Sequence, residues 1–317
     1  MCRHKQGQAV IEMGKHKRGD EMQSYRQAVQ VLPLNLRQPA LRLSPEQMPR
    51  VAEVRLRVGR HPALVLPEGE MCLPGCRVVE REDMERLVEI ASRWSVHTVL
   101  EQLCRGFLPL EGGHRLGLCG TAVMKGERVH ALRDISCANL RVARQRPGVG
   151  LPLVPQLRRG KGIYSTLILA PPGAGKTTLL RDLIRVLSDG EEGLRVGVVD
   201  ERGELAAVWR GQAQLELGER ADVLTDCPKS VGIELLLRGM SPQVLAVDEI
   251  TARRDVCAMA DAVGCGVSLL ATAHGSGRED LERRSIYREM LEQGLFQRLI
   301  TIRVCGTQRQ FGVEELA

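Results

Sequence analysis

The sequence has few aromatic residues, 3% of its 317 residues, and it lacks long apolar runs. A core with so few aromatic side chains has to be built mostly from Leu, Val, Ile and Ala. No apolar segment approaches the ~18 residues needed to cross a bilayer, and no apolar stretch follows the basic N-terminal residues as it would in a signal peptide. We therefore expect a cytoplasmic protein without a transmembrane segment of its own.

Closely spaced cysteine pairs are also missing. The ten cysteines are scattered, and the closest two, Cys72 and Cys76, do not have the CxxC spacing of zinc ribbons or redox motifs. This pattern favours reduced, mostly buried thiols over a metal site or a disulfide framework.

Positive charge is concentrated at the front of the chain. The net charge is +6, and residues 1–60 carry twelve Lys or Arg against five Asp or Glu. Such a basic region could bind nucleic acid, anionic lipid or an acidic protein partner. Residues 1–22 show no hydrophobic periodicity, so we predict that they form a basic, disordered tail.

The hydrophobic pattern divides the rest of the chain into two domains. Residues 23–146 mix helical and short alternating strand signals, which predicts a small α+β domain. Residues 147–162 are rich in proline and glycine, as in a linker. In residues 163–317 short apolar strands alternate with helices, so we predict an α/β fold with a doubly wound, mostly parallel sheet, in which ligands bind beyond the carboxyl ends of the strands.

A phosphate-binding loop follows the first of these strands. The usual pattern is G-x-x-x-x-G-K-[ST], and Ala170 here stands at its first position. Gly173 and Gly175 let backbone N–H groups turn toward phosphate oxygens, Lys176 offers a point charge, and the Thr177 hydroxyl is a ligand for Mg²⁺. We predict an ATP site with P-loop NTPase architecture of the RecA-like kind, whose nucleotide-binding residues are Pro172, Gly173, Ala174, Gly175, Lys176, Thr177 and Thr178.

Two acidic residues end a second apolar strand, Val244–Val247. Because these two acids lie downstream of a phosphate loop on the same α/β sheet, they indicate a catalytic site rather than a simple polar turn. We expect Asp248 to hold Mg²⁺ through water and Glu249 to orient or deprotonate the attacking water, because phosphoryl transfer needs positioning more than covalent chemistry.

A third strand end carries Asp200 and Glu201. At the same sheet edge both carboxylates could face the nucleotide and place water or metal, which would make Glu201 a catalytic residue. For Asp200 a capping role in the following turn competes seriously with this interpretation.

Further catalytic candidates are a histidine and an arginine. Thr272 and His274 end the apolar strand that starts at Val267, where a polar group can sense the γ-phosphate. Arg238 is the preferred candidate among several arginines for a residue that reaches a phosphate across a subunit boundary and stabilises transition-state charge. The alternative for each is an ordinary structural side chain.

The ordered set of motifs resembles the type II/type IV secretion ATPase superfamily, with a phosphate loop, two acidic strand ends and a histidine box. A closer resemblance is to the stage III sporulation protein AA family. The segments that carry it are Glu53–Pro62, Gly112–Gly120, Asp134–Arg141, Ala170–Thr178, Asp200–Leu205 and Asp226–Ile233. The resemblance covers residues 24 to 312, and departs from the usual pattern at Ala170 and at Thr251, where glycine is common.

The resemblance implies an ATP-hydrolysing motor or assembly ATPase, hexameric, in the mother cell of an endospore-forming bacterium. It would act on a secretion-like membrane channel between mother cell and forespore, docked through protein partners. The alternative is a nucleic-acid-stimulated ATPase that binds single strands. Related proteins of that kind carry an added binding domain, which we do not find after Val313.

Overall fold

The computed structural model describes residues 7–10, 18–92, 106–305 and 308–316, which form two compact units. One of them, here called the front unit, comprises residues 16–144 together with residues 207–214. The second, here called the core unit, comprises residues 145–206 and 215–317 together with the first 15 residues. No helix in these described ranges is long and apolar enough to span a membrane.

The described strands and helices are numbered in chain order. The strands are β1 (Gly7–Val10), β2 (Glu53–Arg57), β3 (Ala63–Leu66), β4 (Gly69–Cys72), β5 (Phe107–Pro109), β6 (Arg115–Lys125), β7 (Arg128–Arg141), β8 (Arg158–Arg159), β9 (Gly162–Ile163), β10 (Thr166–Ala170), β11 (Val196–Asp200), β12 (Ala221–Thr225), β13 (Val244–Val247), β14 (Ser268–His274), β15 (Arg298–Cys305) and β16 (Gln308–Glu315). The α-helices are α1 (Arg18–Ala28), α2 (Leu34–Leu41), α3 (Arg81–Ser92), α4 (Val154–Leu157), α5 (Lys176–Ser188), α6 (Lys229–Gly239), α7 (Arg253–Gly264), α8 (Arg278–Arg283) and α9 (Ser285–Glu292).

The front unit is built on an antiparallel sheet with the strand order β4-β3-β2-β7-β6-β5. Strand β2 alternates buried and half-buried residues, as expected when one face of a sheet is covered. The buried side chains of α1, α2 and α3 join those of the sheet in one aliphatic core. Its largest fully buried members include Tyr25, Leu36, Leu87 and Leu116.

The core unit is built on a mostly parallel sheet with the strand order β1-β16-β15-β10-β14-β13-β11-β12. Six neighbouring strands, from β15 to β12, are parallel, and β16 and β1 continue the sheet in the antiparallel sense. Strands β10, β11 and β13 are buried along their whole length, which explains their continuous apolar sequences. The predicted α/β fold is confirmed.

The strand order places β14 between β10 and β13. In a parallel sheet the carboxyl ends of neighbouring strands lie at one edge. The phosphate loop after β10, the acidic pair after β13 and the histidine that ends β14 therefore come together, although as many as 104 positions separate them along the chain (170 to 274).

Two segments differ from the sequence-based expectation. Of the predicted disordered tail, residues 7–10 form β1, which pairs with β16, and α1 already begins at Arg18; the other residues before Arg18 lie outside the described ranges. The predicted linker, residues 147–162, contains a short helix and the β8–β9 hairpin. It is anchored on α5, where the Asp182 carboxylate accepts the N–H groups of Gly148 and Gly150 at 3.0 and 2.7 Å.

The front unit contains a buried histidine, which makes its stability depend on pH. The Nδ1 atom of His114 accepts the N–H of Ala143 at 3.0 Å, and its Nε2 has no hydrogen-bond partner among the described residues. Burial lowers the pKa of His114 from 6.5 to about 4. The folded protein thus holds the neutral ring in a place where its charged form would be poorly solvated.

We predict that His114 makes the protein less stable as the pH falls from 6.5 toward 4. The unfolded chain takes up this proton near pH 6.5 and the folded chain only near pH 4, so the stabilisation is complete above pH 6.5 and declines below it, by about 3 kcal/mol in total. Urea-unfolding midpoints at pH 7.5 and 5.0 should fall less in His114→Gln, which keeps an acceptor but cannot titrate, than in the wild type. His130→Gln, an exposed histidine of the same unit, is the control, and equal falls in wild type and His114→Gln would contradict the prediction.

Candidate active site

The phosphate loop connects β10 to α5 with the backbone shape that its sequence predicts. Gly173 and Gly175 have φ of 74° and 105°, a region that favours glycine. A Cβ atom on either would meet nothing within 4 Å, so conformation rather than space requires glycine there. Ala170, in contrast, is the last residue of β10 and pairs with His274, so no glycine is needed at this first position of the motif.

Lys176 is the first residue of α5 and its side chain is buried. Its Nζ donates to the carbonyl oxygens of Ala170 at 3.0 Å and Pro171 at 3.1 Å, and it lies 2.9 Å from Nδ1 of His274. Burial lowers the pKa of Lys176, and the nearby carboxylates of Asp248 and Glu249 oppose this shift. The ammonium group therefore lies at the positive end of a helix, poorly solvated and surrounded by acceptors.

The Asp248 carboxylate is held between two threonine hydroxyls. Thr177 donates to its Oδ2 at 3.0 Å, and Thr272 donates to its Oδ1 at 2.5 Å. Thr272 is fully buried within β14, so it supports the site from inside the sheet and does not extend beyond the strand end. Its role as a support for Asp248 was not foreseen from the sequence.

Glu249 has an unusual backbone, with φ of 50°. A non-glycine residue in this left-handed region costs about 1 kcal/mol or more. Thr272 compensates, because its hydroxyl accepts the N–H of Glu249 at 2.8 Å. The side chain then reaches His274, whose Nε2 lies 2.8 Å from Oε1, and Arg202, whose Nη1 lies 2.5 Å from Oε2.

The other acidic strand end has a different role. Asp200 is buried and its carboxylate accepts three backbone N–H groups, those of Glu204, Leu205 and Ala206, at 2.7 to 3.0 Å. Of the two interpretations of Asp200, the structure therefore supports the capping one. Glu201 forms an ion pair with the buried Lys229 of α6.

The predicted site residues thus fall into two groups. In the first group, at one edge of the sheet, His274 contacts both Lys176 and Glu249, and Thr177 donates to Asp248. Glu201 makes its described ion pair with α6 instead, and Arg238 is exposed on α6, where it pairs with Glu234 at 3.7 Å.

The donor set suits Mg²⁺ bound together with phosphates. Thr177 Oγ1 and the Asp248 carboxylate offer hard oxygen atoms 3.0 Å apart, and Mg²⁺ in such sites is normally held by one or two protein oxygens, phosphates and water. No cluster of three or more His, Cys, Asp or Glu among the described residues could hold a metal by itself.

A family model for "Sporulation stage III, protein AA" matches residues 22–312. The chain belongs to this family. Stage III sporulation protein AA of Bacillus subtilis (strain 168) is 37% identical over 276 residues, which are 86% of this chain and 89% of that protein. SEEDLING PLASTID DEVELOPMENT 1 of Arabidopsis thaliana is 26% identical over 73% of this chain and 31% of that protein.

Solved structures share the fold of this sporulation family member. The Legionella pneumophila ATPase DotB has a TM-score of 0.54 and 15% identity, over 84% of this chain and 76% of that one. The pilus retraction motor PilT, solved with bound ADP, has a TM-score of 0.56 and 16% identity, over 84% of this chain and 79% of that one. The predicted P-loop NTPase fold is thereby confirmed.

We predict that Thr272→Val destabilises the protein by about 1–3 kcal/mol, because it removes an acceptor from the N–H of Glu249 and a donor from Asp248 while keeping the side-chain shape. Thr272→Ser keeps the hydroxyl and should cost less than half as much. Urea unfolding of both variants beside the wild type makes the comparison. A loss in Thr272→Ser as large as or larger than that in Thr272→Val would contradict the prediction, because only Thr272→Ser keeps the hydroxyl.

Proposed function

We propose that this protein is an ATP-hydrolysing enzyme. The observation that carries the proposal is the convergence at one sheet edge of a buried phosphate-loop lysine, which His274 links to a glutamate, and a hydrogen-bonded threonine–aspartate pair. This combination offers a cation for the outer phosphates, oxygen ligands for a metal and a general base, which are the groups that phosphoryl transfer to water requires. The fold shared with ATPases supports it.

In the proposed complex the triphosphate lies along residues 172–178. The backbone of this loop and the amino end of α5 face the phosphate oxygens, and Lys176 contacts the outer phosphates. Thr177 and Asp248 hold Mg²⁺, which when bound neutralises charge that develops on the phosphates.

Glu249 in this proposal accepts a proton from the attacking water, and His274 reports the γ-phosphate. The contacts of His274 with both Lys176 and Glu249 support these proposed roles. Glu201 is proposed to assist by placing water or metal after its ion pair with Lys229 opens. Arg238, 80% exposed, is proposed to contact the nucleotide of a neighbouring subunit in a hexameric ring.

The wider role that we propose is that of a motor or assembly ATPase of a secretion-like membrane channel during endospore formation, between mother cell and forespore. Membership of the sporulation family and the fold shared with a pilus motor support it. The enzyme would act at the mother-cell face of the membrane, held there by protein partners of the channel.

We predict that Lys176→Ala weakens ATP binding by at least about tenfold, because a charge-assisted phosphate contact contributes about 1.5–3 kcal/mol. Glu249→Gln should bind ATP at least as tightly as the wild type and lower kcat by at least about 100-fold, as expected when a general base is removed. Equilibrium binding of a fluorescent ATP analogue and release of phosphate are the two measurements. Lys161→Ala, an exposed lysine of the same unit, is the control.

Two results would contradict the enzymatic proposal. A wild type that binds no ATP in the presence of Mg²⁺ would refute the nucleotide site. A wild type that binds ATP, with Glu249→Gln releasing phosphate at the wild-type rate, would refute the assignment of the base.

We further predict that the ATP-trapped Glu249→Gln variant, captured from sporulating cells, brings small membrane proteins with it, and that Lys176→Ala, which cannot be trapped, does not. Mass spectrometry of the captured material distinguishes the outcomes. Recovery of single-stranded RNA or DNA with ATP-dependent enrichment, and no membrane proteins, would instead support the nucleic-acid-stimulated ATPase.

A further inference from the structure

A continuous chain of polar contacts joins the phosphate-loop lysine to an arginine that lies outside the predicted site. The contacts run from Lys176 Nζ to His274 Nδ1 at 2.9 Å, from His274 Nε2 to Glu249 Oε1 at 2.8 Å, and from Arg202 Nη1 to Glu249 Oε2 at 2.5 Å. Both oxygens of the proposed base and both ring nitrogens of the histidine are thus engaged.

The direction of each hydrogen bond follows from the chemistry of the lysine. An ammonium group has three N–H donors and no acceptor, and the three contacts of Lys176 are with Ala170 O, Pro171 O and His274 Nδ1. Nδ1 of His274 therefore accepts, the ring proton is on Nε2, and Nε2–H donates to Glu249. The histidine relays the position of the lysine to the glutamate.

Arg202 is presented to Glu249 by a tightly built turn. Gly203 has φ of 63°, and its N–H donates to the Asp200 carbonyl at 3.1 Å. From α5, Arg181 donates to the carbonyl oxygens of Glu204 and Leu205 at 2.5 and 2.8 Å. Together with the carboxylate of Asp200, which accepts three N–H groups of the turn, these bonds hold the backbone that carries Arg202.

We propose that Arg202 is a positioning residue that clamps Glu249 in the nucleotide-free enzyme, and that ATP opens the clamp. The proposal rests on the proposed ATPase function. When Lys176 turns to the outer phosphates, Nδ1 of His274 loses the hydrogen bond from the lysine. Glu249 then separates from Arg202, and its carboxylate turns toward the γ-phosphate and the attacking water. ADP has no γ-phosphate for Glu249 to face, so the Arg202–Glu249 pair persists in the ADP complex.

The clamp has a measurable consequence for nucleotide affinity. Part of the binding energy of ATP is used to break the Arg202–Glu249 pair, whereas ADP leaves the pair intact. The pair is half exposed, with Arg202 56% and Glu249 22% exposed, and pairs of this kind contribute up to about 1 kcal/mol. Arg202→Ala should therefore tighten ATP binding by about two- to fivefold and leave ADP binding unchanged.

The experiment measures dissociation constants for ATP and ADP, together with kcat and KM, on the full chain. In Arg202→Ala the KM for ATP should fall with kcat unchanged, and Arg202→Lys, which keeps a cation, should stay close to the wild type. Arg288→Ala is the control, because Arg288 is 58% exposed and pairs with Glu292 on α9; it should change none of these constants.

Each contrary result refutes a definite part of the proposal. A large fall in kcat in Arg202→Ala would place Arg202 in the transition state rather than in a resting clamp. Equal changes in ATP and ADP affinity would show a general effect on the turn, and unchanged affinities would show that no clamp exists. A wild type that binds no ATP would refute the proposed function itself, which separates the two failures.

Discussion

The parallel pairing of β10, β14 and β13 is the constraint on which the rest of the site depends. It sets Ala170 opposite His274 and Val247 opposite Ala271, so the phosphate loop and the acidic pair lie on either side of the histidine strand. Lys176 and Glu249 are consequently bridged by a side chain rather than being in direct contact. A sheet in which β10 paired with β13 would bring the lysine and the carboxylates together and leave no place for a histidine between them.

Two features of this arrangement are energetically unfavourable and are compensated by local contacts. Lys176 is buried with a lowered pKa, and Glu249 has a backbone conformation that disfavours its side chain. The hydrogen bond that the N–H of Glu249 donates to the buried Thr272 and the contacts of the Glu249 side chain with His274 and Arg202 offset these costs. The groups that a nucleotide would contact are therefore pre-organised, and binding would require only local hydrogen bonds to break.

Much of this architecture could be predicted from the sequence, because buried parallel strands appear in it as short continuous apolar runs. The run Val244–Val247 was placed with its observed bounds, and the motif residues fell at strand ends as expected. Other features depend on tertiary contacts that no local pattern encodes. Among them are the break at Arg284 between α8 and α9 and the pairing of the half-buried β12 at the sheet edge. The clamp on Glu249 could not be foreseen, since it requires knowledge of which strands are neighbours.

The most direct test of the account is the structure of this protein with Mg²⁺ and a non-hydrolysable ATP analogue, measured by the position of the Lys176 ammonium group. The account predicts that Nζ contacts the outer phosphates and has left Nδ1 of His274, with Thr177 and Asp248 beside the metal. A nucleotide bound elsewhere, or phosphates in the loop with the Lys176–His274 contact still at its present 2.9 Å, would contradict it.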